Sequence, residues 1–357
     1  MSYGKPNFLD LSVMTGYERF MKACRAEPVD ATPIWIMRQA GRYLSEYVQL
    51  RNRMTMEEAL NTPEVAAEIT LMPLERFDLD AAIIFSDILP PLAGMGLDLS
   101  FVPDIGPTIG SPIRSTKAVD LLGVPPANEV MGATLEAIHL VQQQLKSRHI
   151  PLIGFAGAPF TLASYAIEGG ATRTFALTKE FMYLEPAAWD RLMIKLCGVT
   201  IDYLNAQVHA GVDCVQLFDS WVGALSRYDY ERYVQPYSRR VITAIEPNIP
   251  VIHFSTNTGA YLDSIAQAGG HVIAMDWRIP IDQGRRLVNK PVMGNLDPCT
   301  LLGPWRELLP HATEVMQKIG GNPGHIFNLG HGILPTTPIE NVERLIEFIH
   351  NYDHAKS

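Results

Sequence analysis

Short apolar runs recur along the chain: PIWIM at 33–37, AAIIF at 81–85, PLIGF at 151–155, CVQLF at 214–218, VIHFS at 251–255, VIAMD at 272–276, PVMGN at 291–295 and HIFNL at 325–329. They are continuous rather than alternating, which is the pattern of parallel strands covered on both faces. The connections run from 14 to 65 residues, each longer than the roughly dozen residues a parallel crossover needs. Most carry a helical period. Eight such strands with eight crossovers predict an α/β fold, a (β/α)8 barrel. With no internal repeat or linker, one domain is expected over residues 1–357.

Local signals place several helix ends. Thr62 before Pro63 reads as an N-cap with proline at the first helical position, and Thr337, Pro338 and Glu340 read as an N-cap, first-turn proline and capping-box glutamate. Val342, Leu345, Ile346 and Ile349 then fall on one core-facing stripe. Pro73, inside an otherwise helical pattern, predicts a kink or an early stop. The Gly/Pro-rich stretch 90–126 is too long for an ordinary βα loop and predicts a hairpin excursion after the second strand. The second crossover helix should then follow at about Met131 to Lys146.

Composition narrows the partners. The chain is 47 % hydrophobic, yet no apolar run reaches the roughly 18 residues of a membrane span, and MSYGKPNFLDLS lacks the plan of a signal peptide. A soluble, cytoplasmic protein is expected. A net charge of -9 without a Lys/Arg block argues against nucleic acid and anionic membranes as partners. An anionic ligand would therefore need a local basic pocket. Cys24, Cys197, Cys214 and Cys299 show no CxxC pairing, so reduced structural thiols are expected rather than a disulfide framework or a zinc knuckle.

In a barrel of this kind the chemistry sits just past the strand ends. Those positions hold Arg38; Ser86 and Asp87; Gly157, with Tyr165 further on; Asp219 and Ser220; Ser255; Asp276; Asn295 and Asp297; and His331. None of the nine lysines follows a strand, which argues against Schiff-base catalysis. Arg38 and Arg42, four apart around Gly41, could grip carboxylates with two guanidinium forks, or be a solvated pair at a helix start. Asp87 could be a helix N-cap, and His331, between two glycines, a turn residue. Those glycines would let backbone approach a ligand closely.

Three stretches, PIWIMRQAGRYLSEY at 33–47, AAIIFSDIL at 81–89 and FNLGHGI at 327–333, resemble the signatures of the uroporphyrinogen decarboxylase family. The similarity runs from about Thr15 to Tyr352. The resemblance implies decarboxylation of the four acetate side chains of uroporphyrinogen III, without metal or organic cofactor, in a homodimer whose mouths face each other. It implies Asp87 and Arg38 as catalytic residues. Arg38, Gln39, Ala40, Gly41, Arg42, Asp87, Tyr165, Ser220 and His331 would bind the substrate, Asp87 accepting the inward-pointing pyrrole N–H groups and His331 donating to a carboxylate. A guanidinium is a poor acid, so a substrate carboxyl or water is an alternative proton donor to Arg38. Ser45 and Phe160 stand where the family commonly has proline and tryptophan; Phe160 would keep an aromatic wall.

Two rival readings accompany this one. Methyltransferases of the same fold bind zinc through a His-x-Cys at the fifth strand; this chain has His253-x-Ser255 there, and a hydroxyl is a poor zinc ligand. A non-catalytic tetrapyrrole-binding protein would use the same residues as the enzyme.

Overall fold

The computed structural model describes residues 13–102, 105–170 and 172–354; the MSYGKPNFLDLS segment, expected to carry no signal peptide, lies outside them. Its strands in chain order are β1 (Ala82–Ile83), β2 (Leu99–Val102), β3 (Gly106–Ile109), β4 (Leu152–Gly157), β5 (Cys214–Asp219), β6 (Val251–Ser255), β7 (Val272–Ala274), β8 (Val292–Met293) and β9 (His325–Ile326). β2 and β3 pair antiparallel, forming the expected excursion. The other seven form one parallel sheet in the order β1-β4-β5-β6-β7-β8-β9, each strand beside the next in sequence.

The eighth expected strand, 33–37, is not a laddered strand. It fills the gap between β9 and β1 and is joined to the β9 side by a single parallel bridge, Ile34 to Phe327. Side chains replace the rest of the ladder. Ile34 N–H donates to Asp80 Oδ2 at 2.7 Å and Met37 N–H to Asn328 Oδ1 at 2.9 Å, while Asp80 N–H returns a bond to the Ile34 carbonyl at 2.9 Å. A helix separates each successive pair of these segments, and Ile339–His350 follows β9. The barrel expectation holds, with one stave fastened by side chains.

Asp80 is the knot of that closure. Its Oδ1 takes Arg19 Nη1 at 2.5 Å and its Oδ2 also takes His350 Nε2 at 2.8 Å; Arg19 holds Asp30 through Nε at 2.8 Å and Nη2 at 2.9 Å. Three distant segments, at Arg19, Ile34 and His350, meet on one carboxylate that is 2 % exposed. Burial makes the charge costly and the pairing compulsory, and removing one partner of a buried pair costs about 3–5 kcal/mol. Arg19→Ala should lose stability of that order, read from the denaturant midpoint. A loss below about 1 kcal/mol, the range of a surface pair, would show that the network does not close the barrel.

The helix ends differ in part from expectation. Thr62 is the N-cap of Pro63–Arg76 with Pro63 at the first position, but its hydroxyl donates to the Glu58 carbonyl instead of capping. Pro73 does not stop that helix early; three more residues follow it to Arg76. The second crossover helix spans Gly132–Arg148. At the last helix the expected capping box is absent: Pro338 is itself the N-cap, and the buried Thr337 hydroxyl has no partner. Val342, Leu345, Ile346 and Ile349 are buried as expected, and all four cysteines are free.

Strand alternation sets which side chains reach the lumen. A Cβ on Gly154 would lie 2.5 Å from Gln207 Oε1 of the outer helix Pro186–Ala210, so position 154 faces outward. Phe155 and Gly157 therefore face inward. Register aligns Phe155 with Gln216, Gly157 with Phe218 and Phe218 with Phe254, which puts these residues on the lumen face too.

Candidate active site

Four carboxylates lie at or just past strand ends, and three of them turn to partners within the protein, Asp219 through one oxygen only. Asp219 points outward and accepts from Ser238 Oγ at 3.1 Å. Asp276 accepts Asn257 N–H at 2.7 Å and pairs with Arg278 at 2.6 Å. Asp297 caps a short 3-10 helix through Cys299 N–H at 2.9 Å. Asp87 differs. Its Oδ1 accepts Leu89 N–H at 2.9 Å, a local turn rather than a helix cap, since the next helix is capped by Leu89. No cation lies within ion-pair distance of it among the described residues. Burial pushes its carboxyl above the usual carboxylate range, offset in part by that N–H and by the charge of Arg38. An underserved carboxylate in a desolvated place is one poised to accept donors from a ligand.

Arg38 reaches this region through an unusual backbone. Its φ is +63°, the left-handed conformation that non-glycine residues seldom adopt. The reversal has two consequences. The Arg38 side chain is exposed beyond the strand-like segment, whereas Gln39 turns back beneath it, 1 % exposed, accepting Ile36 N–H at 3.1 Å and donating to the Ala81 carbonyl at 3.0 Å. Gln39 thus supports the turn, and its side chain is not free for a ligand. Ala40 and Gly41 are half-buried, and a Cβ on Gly41 would come within 2.9 Å of the Arg38 carbonyl. Arg42 is exposed, and neither arginine has a partner among the described residues.

His331 stands beside Arg38. A Cβ on Gly332 would fall 2.5 Å from Arg38 Cδ, so the arginine stem lies directly on that glycine, while a Cβ on Gly330 would meet Trp277 N at 2.7 Å. Both glycines thus allow close packing within the protein. His331 Nδ1 accepts Gly332 N–H at 2.8 Å, which leaves the ring proton on Nε2. Burial, then the Arg38 charge, lowers its pKa to about 4. At neutral pH it is an uncharged N–H donor.

Tyr165 completes the group. Burial raises its pKa, then the Asp87 charge, with Arg38 opposing, so its phenol shares the field of both. Its ring packs 5.9 Å from Trp221, which in turn lies 5.4 Å from Phe175. Ser220 is half-buried between them in sequence, its carbonyl held by Thr256 Oγ1 at 2.7 Å. The lumen face continues as a chain of rings: Phe155 to Phe218 at 5.4 Å, Phe218 to Phe254 at 5.5 Å and Phe254 to His331 at 6.3 Å. Sequence reasoning did not single out these phenylalanines, Trp221 or Phe175. Only knowledge of which strand face points inward would have found the phenylalanines.

Other strand-end residues turn away. Ser86 sits 3.2 Å from Thr134 Oγ1, and the fully buried Ser255 Oγ is 2.7 Å from Thr258 Oγ1. Phe160 is buried against Trp189 of an outer helix, so it packs the shell and forms no wall of the mouth. Ser45 begins the helix Ser45–Arg51. Among the described residues, no group of three or more His, Cys, Asp or Glu side chains is arranged to hold a metal ion.

A half-buried carboxylate with no cation partner, sharing its field with the Arg38 guanidinium, a phenol and, through Arg38, a neutral imidazole, beside an aromatic floor, suits a ligand with inward N–H donors and peripheral acids. Comparison with known proteins agrees. The family model described as uroporphyrinogen decarboxylase matches residues 15–352. A uroporphyrinogen decarboxylase of Roseiflexus sp. is 49 % identical over 344 residues, covering 94 % of this chain and 99 % of that protein. One of Chloroflexus aurantiacus is 48 % identical over 342 residues, with 94 % and 96 % covered. Among solved structures, a methyltransferase from Methanosarcina mazei superposes with a TM-score of 0.76 at 22 % identity, over 94 % of this chain and 98 % of the other; that likeness shows the fold alone. The chain belongs to the uroporphyrinogen decarboxylase family.

Proposed function

We propose that this protein decarboxylates the four acetate side chains of uroporphyrinogen III to methyls, yielding coproporphyrinogen III. The observation that carries the reading is Asp87: a strand-end carboxylate with no cation partner, set in a place that raises its pKa. A carboxylate offers about four acceptor sites, and a bent porphyrinogen offers four pyrrole N–H groups converging on one point. Arg38 and Arg42 take peripheral carboxylates, Tyr165 and His331 donate hydrogen bonds from neutral groups, and the Phe155–Phe218–Phe254 rings floor the macrocycle.

Loss of CO2 from an acetate leaves an electron pair that needs a sink. Protonation of the adjacent pyrrole α-carbon makes the ring that sink. The C–CO2 bond then breaks with its electrons flowing into the ring, and a second proton at the methylene carbon gives the methyl as the α-carbon proton leaves. Asp87 stabilises the cation formed at the first step, acting in a water-poor mouth where a fixed charge is strongest. The reaction asks nothing of an external electron carrier.

Anaerobic incubation with uroporphyrinogen under reducing conditions, followed by a count of product carboxylates, tests this directly. Coproporphyrinogen is expected, at a rate unchanged by exhaustive dialysis against a chelator. Unchanged substrate would leave a binding protein, and a rate restored by one metal or organic cofactor would overturn the mechanism. The same reading takes the enzyme to be a cytoplasmic homodimer; among the described residues, no helix is long and apolar enough to cross a membrane.

A further inference from the structure

Behind the mouth, on the outward face of β5 and β6, lies a buried polar cluster that the proposed chemistry does not use. Asp219, His253, Ser238 and Tyr230 are all 0 % exposed. Asp219 Oδ2 accepts from Ser238 Oγ at 3.1 Å and lies 3.6 Å from His253 Nε2, too far for a hydrogen bond. Asp219 Oδ1, both ring nitrogens of His253 and the Tyr230 hydroxyl make no hydrogen bond of normal geometry, although Ser238 lies beside the Tyr230 hydroxyl and Asp219 beside His253 Nε2. Register puts Asp219 opposite Ser255 and His253 opposite Leu217, so both share the outward face, beneath the helices Arg227–Tyr233 and Gln235–Thr243 that carry Tyr230 and Ser238.

Buried polar groups in folded proteins are nearly always paired, and an enclosed carboxylate with one neutral donor is costly. One carboxylate oxygen and the three polar atoms of His253 and Tyr230 near it could share a single small polar partner. It must donate to Asp219 Oδ1 and also serve an imidazole or a phenol, each of which can donate or accept. Water fits: it is small, has both roles, and needs two to four polar neighbours. A single carboxylate is a poor dry cage for a cation.

Location gives the cluster its consequence. Asp219 stands between Phe218, part of the aromatic floor, and Ser220, at the mouth. The following turn is otherwise pinned through its backbone: the Ser220 carbonyl by Thr256, Trp221 N–H by Thr161 Oγ1 at 3.4 Å, and the Val222 carbonyl by Tyr261 OH at 2.6 Å. Asp219 supplies a side-chain anchor at the strand end itself. We infer that Asp219 is a positioning residue, joined through an enclosed water to His253 and Tyr230, and that this joint fixes the end of β5 and with it Phe218 and Ser220. Its kinetic consequence rests on the decarboxylase reading; its structural one does not.

Crystal structures of the wild type and of Asp219→Asn, with kinetics on both, decide it. The wild type should show an ordered water within hydrogen-bond distance of Asp219 Oδ1 and of His253 or Tyr230; a dry gap or a metal ion there overturns the inference. Asp219→Asn keeps shape and the Ser238 contact but weakens the charge-assisted bond, so KM should rise on the order of ten-fold with kcat little changed, and Ser220 should shift. Tyr230→Phe, which deletes one hydroxyl, should move KM the same way by less. A lowered melting temperature with KM and Ser220 unmoved would make the cluster merely structural and overturn the positioning role. Should the wild type itself fail to turn over, the decarboxylase reading falls, and the two crystal structures still decide the inference.

Discussion

Asp87→Asn should lower kcat by about 10^2 to 10^4 while the protein stays folded. The substitution keeps the shape, and Asn Oδ1 can still accept the Leu89 N–H that now turns the chain. What it removes is the negative charge facing a protonated pyrrole. Two unit charges about 4 Å apart interact by roughly 4 kcal/mol at an effective dielectric of about 20, and each 1.36 kcal/mol is about a factor of ten in rate. That arithmetic lands near 10^3. Steady-state kinetics beside a denaturation curve measure both halves. Near-normal turnover would remove Asp87 from the mechanism; collapse of the fold would make it structural.

The barrel was legible because buried parallel strands are written as continuous apolar runs, and β6 falls on the expected 251–255. The first stave was misread because its partners are far away in sequence. Ile34 N–H goes to Asp80, 46 residues on, and Met37 N–H to Asn328, 291 residues on. An apolar run shows that a segment is buried, not whether backbone or side chains complete its hydrogen bonds. Thr337 fails for a related reason: a capping signature states a local preference, and here the chain enters the helix one residue later.

At the site, residue type and position beyond a strand made Asp87 one candidate among several and the family resemblance singled it out, whereas direction could not be read. Gln39 sits in the same RQAGR stretch as the two arginines, yet the left-handed Arg38 turns it under. Asp219 and Ser255 also end strands, and alternation sends both outward. The aromatic floor was hidden in plain view, since Phe155, Phe218 and Phe254 look like any strand interior until the register says which face is the lumen.

Arg38→Lys should lower kcat/KM by about 10- to 10^2-fold, the worth of one charge-assisted hydrogen bond of roughly 1.5–3 kcal/mol. Lysine keeps the positive charge, so the influence of position 38 on Asp87 and His331 should survive. It pays no new backbone penalty either, because both residues suffer the same strain at φ +63°. Only the planar fork is lost, since an ammonium on a flexible stem cannot hold a carboxylate in two parallel bonds. Arg38→Met removes charge and fork together and should fall further, by an additional factor that salt cannot restore. If Arg38→Lys equals the wild type while Arg38→Met is impaired, charge alone matters at this position. Equality of all three would take Arg38 out of the reaction, and Arg42 would become the guanidinium to test.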